Sequence, residues 1–164
     1  MNTTFYLPHG YETVVDEEDS DLSEFYWRVT PPVPAKGKKQ YVVRSTGKCN
    51  PRLSLHRVIT ERIIKRSLTA GEVVDHIDGN PLNNRRSNLR IATIAENSAN
   101  CKKSVRNTSG FKGVTLHKKS GKWQSCIKSG GKSHYLGLFN NPEEAFTAYK
   151  QAAIRLHGEF ARFE

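Results

Sequence analysis

Apolar and polar positions recur in three ways along the chain, and each predicts a different local structure. Near the N-terminus, Glu12–Val15, Phe25–Val29 and Tyr41–Arg44 form short runs of strand-favouring residues. An acidic loop and the stretch TPPVPAKGKK (30–39) separate them, and its prolines and glycine forbid a helix or a central strand there. In LSLHRVITERIIKRSL (53–68), Leu55, Ile59, Ile63 and Val58 fall on one helical face, with Ser54 placed as an N-cap. Residues 72–77 and 89–92 read as two strands around a turned loop, 78–87. TIAENSANCKK (93–103) follows as a helix, because Thr93 and Glu96 have the spacing of a capping box.

The last third alternates with period two. FKGVTLH, KWQSCIKS and SHYLGLF are broken by KKSGK and GGK turns, which predicts three antiparallel strands. Asn141-Pro142-Glu143-Glu144 then opens a helix: Asn caps, Pro takes the first helical position, and the acids meet the positive dipole end. Ala145, Tyr149, Ala152, Ala153 and Leu156 form its buried stripe, and Gly158 ends it. The fold class expected is therefore α+β. It comprises a small antiparallel β region (1–52), a strand–loop–strand–helix unit (53–103), a polar linker (104–110), and a three-stranded sheet with one helix (111–164).

Composition sharpens this. Hydrophobic residues make up 36%, so no single large core is expected. The net charge of +10 is uneven. Residues 1–30 hold seven acids against one base, Arg28, which leaves 25 bases and 9 acids in the rest. A basic body of this kind suits a polyanion, because each neutralised phosphate releases a condensed counterion. Cys49, Cys101 and Cys126 are far apart, which argues against a structural zinc site or a disulfide framework and fits a reducing compartment. No apolar run reaches membrane-spanning length and the start lacks a signal pattern, so a cytoplasmic protein without membrane contact is expected.

Candidate chemistry lies in VDHIDGNPLNNRRSNLRIAT (74–93). Turn formation accounts for Asn80, Asn83 and Asn84, whose side chains bond their own backbone. It does not account for Asp75 and His76, before the turn, or for Asn97 on the following helix. Asp75 and Asn97 offer oxygen ligands of the type preferred by Mg²⁺ or Mn²⁺, and His76 is a base poised near neutral pH. A cation and a base together can hydrolyse a phosphodiester. One difficulty is geometric: neighbouring strand residues point to opposite faces, so the strand must bend, bulge or end at Asp75-His76. Arg85, Arg86 and Arg90 are candidate phosphate contacts, or solvated surface arginines.

Asp75-His76, Asn88 twelve positions after His76, and Asn97 nine further on resemble the His-Asn-His/Asn motif of HNH homing endonucleases of phages and introns. The likeness extends over 54–97 and includes His56. It implies a ββα-metal fold, Asp75 and Asn97 on the metal, His76 as general base, and Asn88 as a structural tie of the loop. Phage origin, with action in the host cytoplasm, is implied in the same way. His56 itself reads as a packed residue.

KGV, GKW, YLGLF, EEAFTAY and AA…HG, spread over 110–163, resemble the plant ethylene-response-factor (APETALA-type) DNA-binding domain. That implies a sheet laid in the major groove of double-stranded DNA, with Lys112, His117, Lys128 and Tyr135 at contacting positions. Thr115 stands where the plant domains carry arginine, and Tyr135 where tryptophan is usual, so sequence preference does not carry over. Trp123, Phe139, Phe146 and Tyr149 read as core. In the N-terminal segment, Trp27 and Tyr41 read as core, and Lys36, Lys38, Lys39 and Arg44 as possible grips on DNA backbone. The acidic run 16–21 must face away from phosphate or contact something else.

These readings favour a metal-dependent DNA endonuclease acting as a monomer without a small-molecule cofactor. The alternatives are a non-catalytic sequence-specific DNA-binding regulator and an RNA-binding accessory protein.

Overall fold

A computed structural model describes residues 1–31, 39–45 and 52–163. Lys36, Lys38 and Cys49 lie outside the described residues. The chain divides into two compact units, Met1–Ala92 and Thr93–Glu164.

In the first unit, β1 (Asn2–Leu7) and β2 (Tyr11–Asp16) pair antiparallel, with Asn2 opposite Asp16 and Leu7 opposite Tyr11. Phe5 and Leu7 are buried while Tyr6 between them is exposed, the period-two signature of a half-covered sheet. Strand β1 is not foreseen in the sequence. β3 (Arg28–Thr30), β4 (Tyr41–Arg44) and β5 (Leu53–Ser54) form a second sheet in the order β3-β4-β5. The strand expected from Phe25 starts only at Arg28, because a 3₁₀ segment runs through Glu17–Glu24 and Phe25 closes it with an N–H bond to Leu22 O.

Helix α1 (Leu55–Ile64) is shorter than 53–68. Ser54 holds the N-cap position with extended backbone but no side-chain cap bond, and Lys65 adopts a left-handed conformation (φ 54°) that stops the helix. Of its apolar stripe, Leu55 and Ile59 are fully buried and Ile63 is not. Burial on that scale stabilises by about 2 kcal/mol per side chain. β6 (Glu72–His76) and β7 (Leu89–Thr93) form a two-stranded sheet. One core joins Phe5, Leu7, Val15, Trp27, Val42, Leu55, Ile59, Val74 and Leu89, so the N-terminal strands and residues 53–92 share their burial.

The acidic run finds an internal partner. Asp19, with no exposed side-chain surface, accepts Arg86 Nε at 2.7 Å and Arg62 Nη1 at 3.3 Å. Asp21 takes Arg62 bidentately at 2.7 Å on each oxygen, and Arg86 also pairs with Glu18.

In the second unit, α2 (Ile94–Ala99) carries the expected capping box: Glu96 N–H donates to Thr93 Oγ1 and Thr93 N–H to Glu96 Oε2. It ends at Asn100 rather than continuing to 103. β8 (Val114–His117), β9 (Lys122–Ser129) and β10 (Lys132–Phe139) make an antiparallel sheet in the order β10-β9-β8, as expected. A register shift lies between Tyr135 and Gly137. Helix α3 (Pro142–His157) is capped by Asn141 Oδ1 on Glu144 N–H at 2.9 Å. It buries Ala145, Tyr149, Ala152 and Ala153. Gly113 (φ +75°) lets Tyr149 approach; an added Cβ would stand 2.1 Å from its ring. Among the described residues no helix is long and apolar enough to cross a membrane.

Candidate functional site

Strand β6 ends at His76, with Asp75 and His76 its last two residues. Val74, Asp75 and His76 are buried in succession, so the end of this strand is covered on both faces. Ile77 N–H still reaches Asn88 O at 2.9 Å, and Gly79 N–H turns back to His76 O at 2.8 Å. Asp75 is 1% exposed, and its Oδ2 accepts Arg90 Nε at 3.0 Å and Nη2 at 2.9 Å. A planar guanidinium fixes the carboxylate's orientation as a point charge could not.

His76 is 4% exposed. Its ring meets the His56 ring edge-on at 5.2 Å and lies 6.4 Å from Tyr41, which stands 5.4 Å from His56. Burial pulls the His76 pKa below the ordinary histidine value. Burial, with the His76 charge next in size, takes His56 down to about 3. Both shifts favour the neutral imidazole. Burial and the Asp75 charge raise the Tyr41 phenol. His56 Nδ1 is buried and has no hydrogen-bond partner among the described residues.

The loop that follows is tied by asparagine side chains. Asn88 Nδ2 donates to Asp78 Oδ1 at 2.9 Å and to Asn83 O at 2.8 Å, while its Oδ1 accepts Asp78 N–H at 3.0 Å. Partial burial pushes the Asp78 carboxyl upward, but donation from Asn80 N–H, Asn83 and Asn88 outweighs it and leaves the pKa lowered. Asn80 makes the turn contacts expected of it, accepting Leu82 N–H and donating its own N–H to Asp78. Asn84 does more than turn the chain. It is fully buried, with Oδ1 3.2 Å from His76 Nε2 and Nδ2 donating to Thr13 Oγ1 at 2.8 Å. Nothing in the sequence singles out Thr13, which lies 71 positions away.

The three arginines differ. Arg85 Nε donates to Asn83 Oδ1 at 2.9 Å. Arg86 is bound to Asp19 and Glu18, and Arg90 to Asp75. Their charges are already matched inside the unit, so phosphate contact from Arg86 or Arg90 requires an ion pair to open. The sequence admits phosphate contact or solvation for all three, and internal pairing of Arg86 and Arg90 is a third arrangement. Asn97 lies half-buried on α2 in the second unit.

In the second unit, register sorts the sheet into two faces. Val114, Ser125 and Ile127 are buried, and Val114 pairs with Ser125. Alternation from these positions puts Thr115, His117, Lys122, Gln124, Cys126, Lys128 and Tyr135 on the opposite face, where Tyr135 is 61% exposed. His117, Lys128 and Tyr135 thus share one surface as the sequence pattern expects, and Lys122 joins them unforeseen. Lys112 does not. It precedes β8, and its Nζ donates to Ala99 O, Cys101 O and Arg162 O at 2.8, 2.7 and 3.1 Å. Burial lowers its pKa. An amine holding three carbonyls acts as a structural tie, and DNA contact from Lys112 would require those bonds to open.

With this geometry in view, comparison with known proteins gives the class. Residues 54–99 match the HNH endonuclease family, and residues 109–159 match the AP2 domain. The chain belongs to the HNH endonuclease family and carries an AP2 domain behind the nuclease segment. It is 42% identical over 93 residues to protein 3.8 of Escherichia phage T7, an overlap of 57% of this chain and 76% of that protein. It is 34% identical over 110 residues to an uncharacterized HNH endonuclease of Acanthamoeba polyphaga mimivirus, covering 67% of this chain and 56% of the relative. The C-terminal part is 47% identical over 55 residues to an AP2-like ethylene-responsive transcription factor of Oryza sativa subsp. japonica, 32% of this chain and 9% of that protein. The chain thus spans about half of the mimivirus relative and a small part of the plant one. No solved structure matches the chain significantly.

Among the described residues no three of His, Cys, Asp and Glu cluster to hold a metal ion. Asp75 offers a buried carboxylate of fixed orientation, an oxygen donor of the class that hard divalent cations take.

Proposed function

We propose that the protein is a divalent-metal-dependent DNA endonuclease in which His76 is the general base and Asp75 and Asn97 hold the cation. The supporting observation is the adjacency of a buried carboxylate fixed by Arg90 and a neutral imidazole at the end of β6, inside the segment that matches the HNH endonuclease family. A neutral imidazole has the lone pair that a general base needs to take a proton from water. The bound cation, Mg²⁺ or Mn²⁺, would polarise the phosphodiester and stabilise the departing oxygen. Arg90 orients Asp75, and Asn88 holds the loop between the strands in one shape.

Residues 53–103 act as the nuclease segment, and residues 111–164, beyond the 104–110 connection, bind double-stranded DNA. The open sheet face with His117, Lys128 and Tyr135 supplies sequence-independent affinity through its lysines and base or sugar contact through Tyr135. Arg85 adds a phosphate contact beside the loop. Each chain brings one base and one cation site, so a monomer cuts one strand per event, and the phage and viral relatives suit work in an infected cell's cytoplasm.

One observation favours a second reading. A base that meets no water takes no proton, and His76 is 4% exposed; a non-catalytic DNA-binding regulator would have no use for an accessible base. Supercoiled plasmid separates the two. Nicking by wild type with Mg²⁺, absent with chelator and absent in His76→Ala, supports the enzyme. Equal DNA retention by both proteins with no nick under any condition supports the regulator.

A further inference from the structure

Residue Asn84 is fully buried, 0% exposed, and so is Thr13 on strand β2, across the loop from it. The two are joined in a chain of hydrogen bonds whose directions are all determined. Thr13 Oγ1 lies 2.7 Å from Leu82 O, and a carbonyl oxygen only accepts, so the hydroxyl hydrogen points there. The hydroxyl oxygen must therefore accept from Asn84, which puts the amide NH₂ on Thr13 at 2.8 Å. Pro81 O, at 3.3 Å from the same Nδ2, also only accepts and demands the same orientation. The amide oxygen is left facing His76 Nε2 at 3.2 Å, and that oxygen too can only accept. Backbone bonds lock the frame: Val14 N–H donates to Leu82 O at 3.2 Å and Asn84 N–H to Val14 O at 2.8 Å.

We propose that Thr13 and Asn84 are positioning residues that hold His76 in the Nε2–H tautomer. The inference rests on the nuclease reading for its purpose: with the proton on Nε2, the ring's lone pair sits on Nδ1, and Nδ1 is the atom that takes the proton from water. The hairpin β1–β2, outside the segment matching the HNH endonuclease family, thereby sets the chemistry of a residue inside it. A structural role alone would require only that Asn84 fill its space; this role requires that its oxygen, and not its nitrogen, face the ring.

The test is a ¹⁵N-histidine-labelled full-length protein at about pH 8, above the ordinary histidine pKa. Long-range proton–nitrogen correlations report which ring nitrogen of His76 carries hydrogen. Wild type is expected to give a single Nε2–H pattern. Thr13→Val, which removes the nearer of the amide's two acceptors and leaves only the 3.3 Å contact to Pro81 O to hold its orientation, and Asn84→Leu, which removes the acceptor facing His76, are each expected to give mixed tautomers. Their nicking rates should fall, on the order of a hundredfold for Asn84→Leu. A wild-type Nδ1–H pattern overturns the proposal, and so does an Nε2–H pattern unchanged in the variants. If Asn84→Leu does not fold, Thr13→Val decides the matter. An Nε2–H pattern that shifts in the variants, in a protein that nicks nothing, overturns the nuclease reading and leaves the tautomer assignment intact.

Discussion

Arg90 and Asp75 face each other across the β6–β7 pair, Nη2 to Oδ2 at 2.9 Å, with the carboxylate wholly shielded and the guanidinium nearly so. Removing one partner of such a pair strands a buried charge, which costs about 3 kcal/mol. Arg90→Met is therefore expected to lower stability by that amount when measured by urea denaturation in chelator. If Asp75 is a cation ligand, Mg²⁺ takes over part of the lost compensation, and the same variant gains more from Mg²⁺ than wild type does. An equal Mg²⁺ response in the two proteins would show that the cation does not bind at Asp75.

The acidic run offers an internal control on how burial scales ion-pair strength. Asp19 has no exposed side-chain surface and bridges two arginines, whereas the Asp21 side chain is 55% exposed and holds one. Asp19→Ala should cost about 3 kcal/mol, Asp21→Ala under about 1. Chemical denaturation of the two variants side by side checks the ratio. Near-equal losses would mean that the run acts through summed charge rather than through one buried carboxylate.

Short-range signals in the sequence carry straight into the structure. The Thr93–Glu96 box and the Asn141 cap are local hydrogen-bond chemistry and form where their spacing places them. The three C-terminal strands follow from period-two alternation between glycine turns. What the sequence conceals is long range or conformationally unusual. Lys65 ends α1 in a left-handed conformation that no glycine announces. Lys112 reads as a strand residue, but its amine turns to carbonyls of residues 99, 101 and 162. The bonds from Thr13 to Asn84 and from Arg86 to Asp19 span 71 and 67 positions, and no periodicity connects them. Asp75, His76, Asn88 and Asn97 stand out through their resemblance to a known motif, whereas the groups that orient them do not.

Acid should weaken the first unit through His56. Its folded pKa, about 3, lies below the ordinary value of 6.5 because burial, with the charges of His76 and Arg57, opposes protonation. The unfolded chain then binds the proton more readily wherever the pH lies between those values. Stability is complete above about pH 6.5 and falls as the pH drops towards 3, by up to about 1.4 kcal/mol per unit. Unfolding free energies of wild type and His56→Gln, followed from neutral to acid pH, measure this. The variant should show the shallower decline, since an uncharged amide has no proton to gain; parallel curves would place the acid sensitivity in other groups.

Register on the open sheet face makes the final prediction quantitative. Lys128 shares that face with His117, Lys122 and the exposed ring of Tyr135, whereas Lys112 holds three backbone carbonyls. Each lysine that neutralises a phosphate contributes about one to the slope of log affinity against log salt. Lys128→Ala should therefore weaken DNA binding and flatten that slope by about one. Tyr135→Ala should weaken binding with the slope unchanged, because a ring releases no counterion. Lys112→Ala should leave the slope as it is and lower the melting temperature, through loss of the carbonyl ties. A slope change in Lys112→Ala equal to that in Lys128→Ala would place the Lys112 amine on phosphate and refute the division of the two lysines drawn from the sheet.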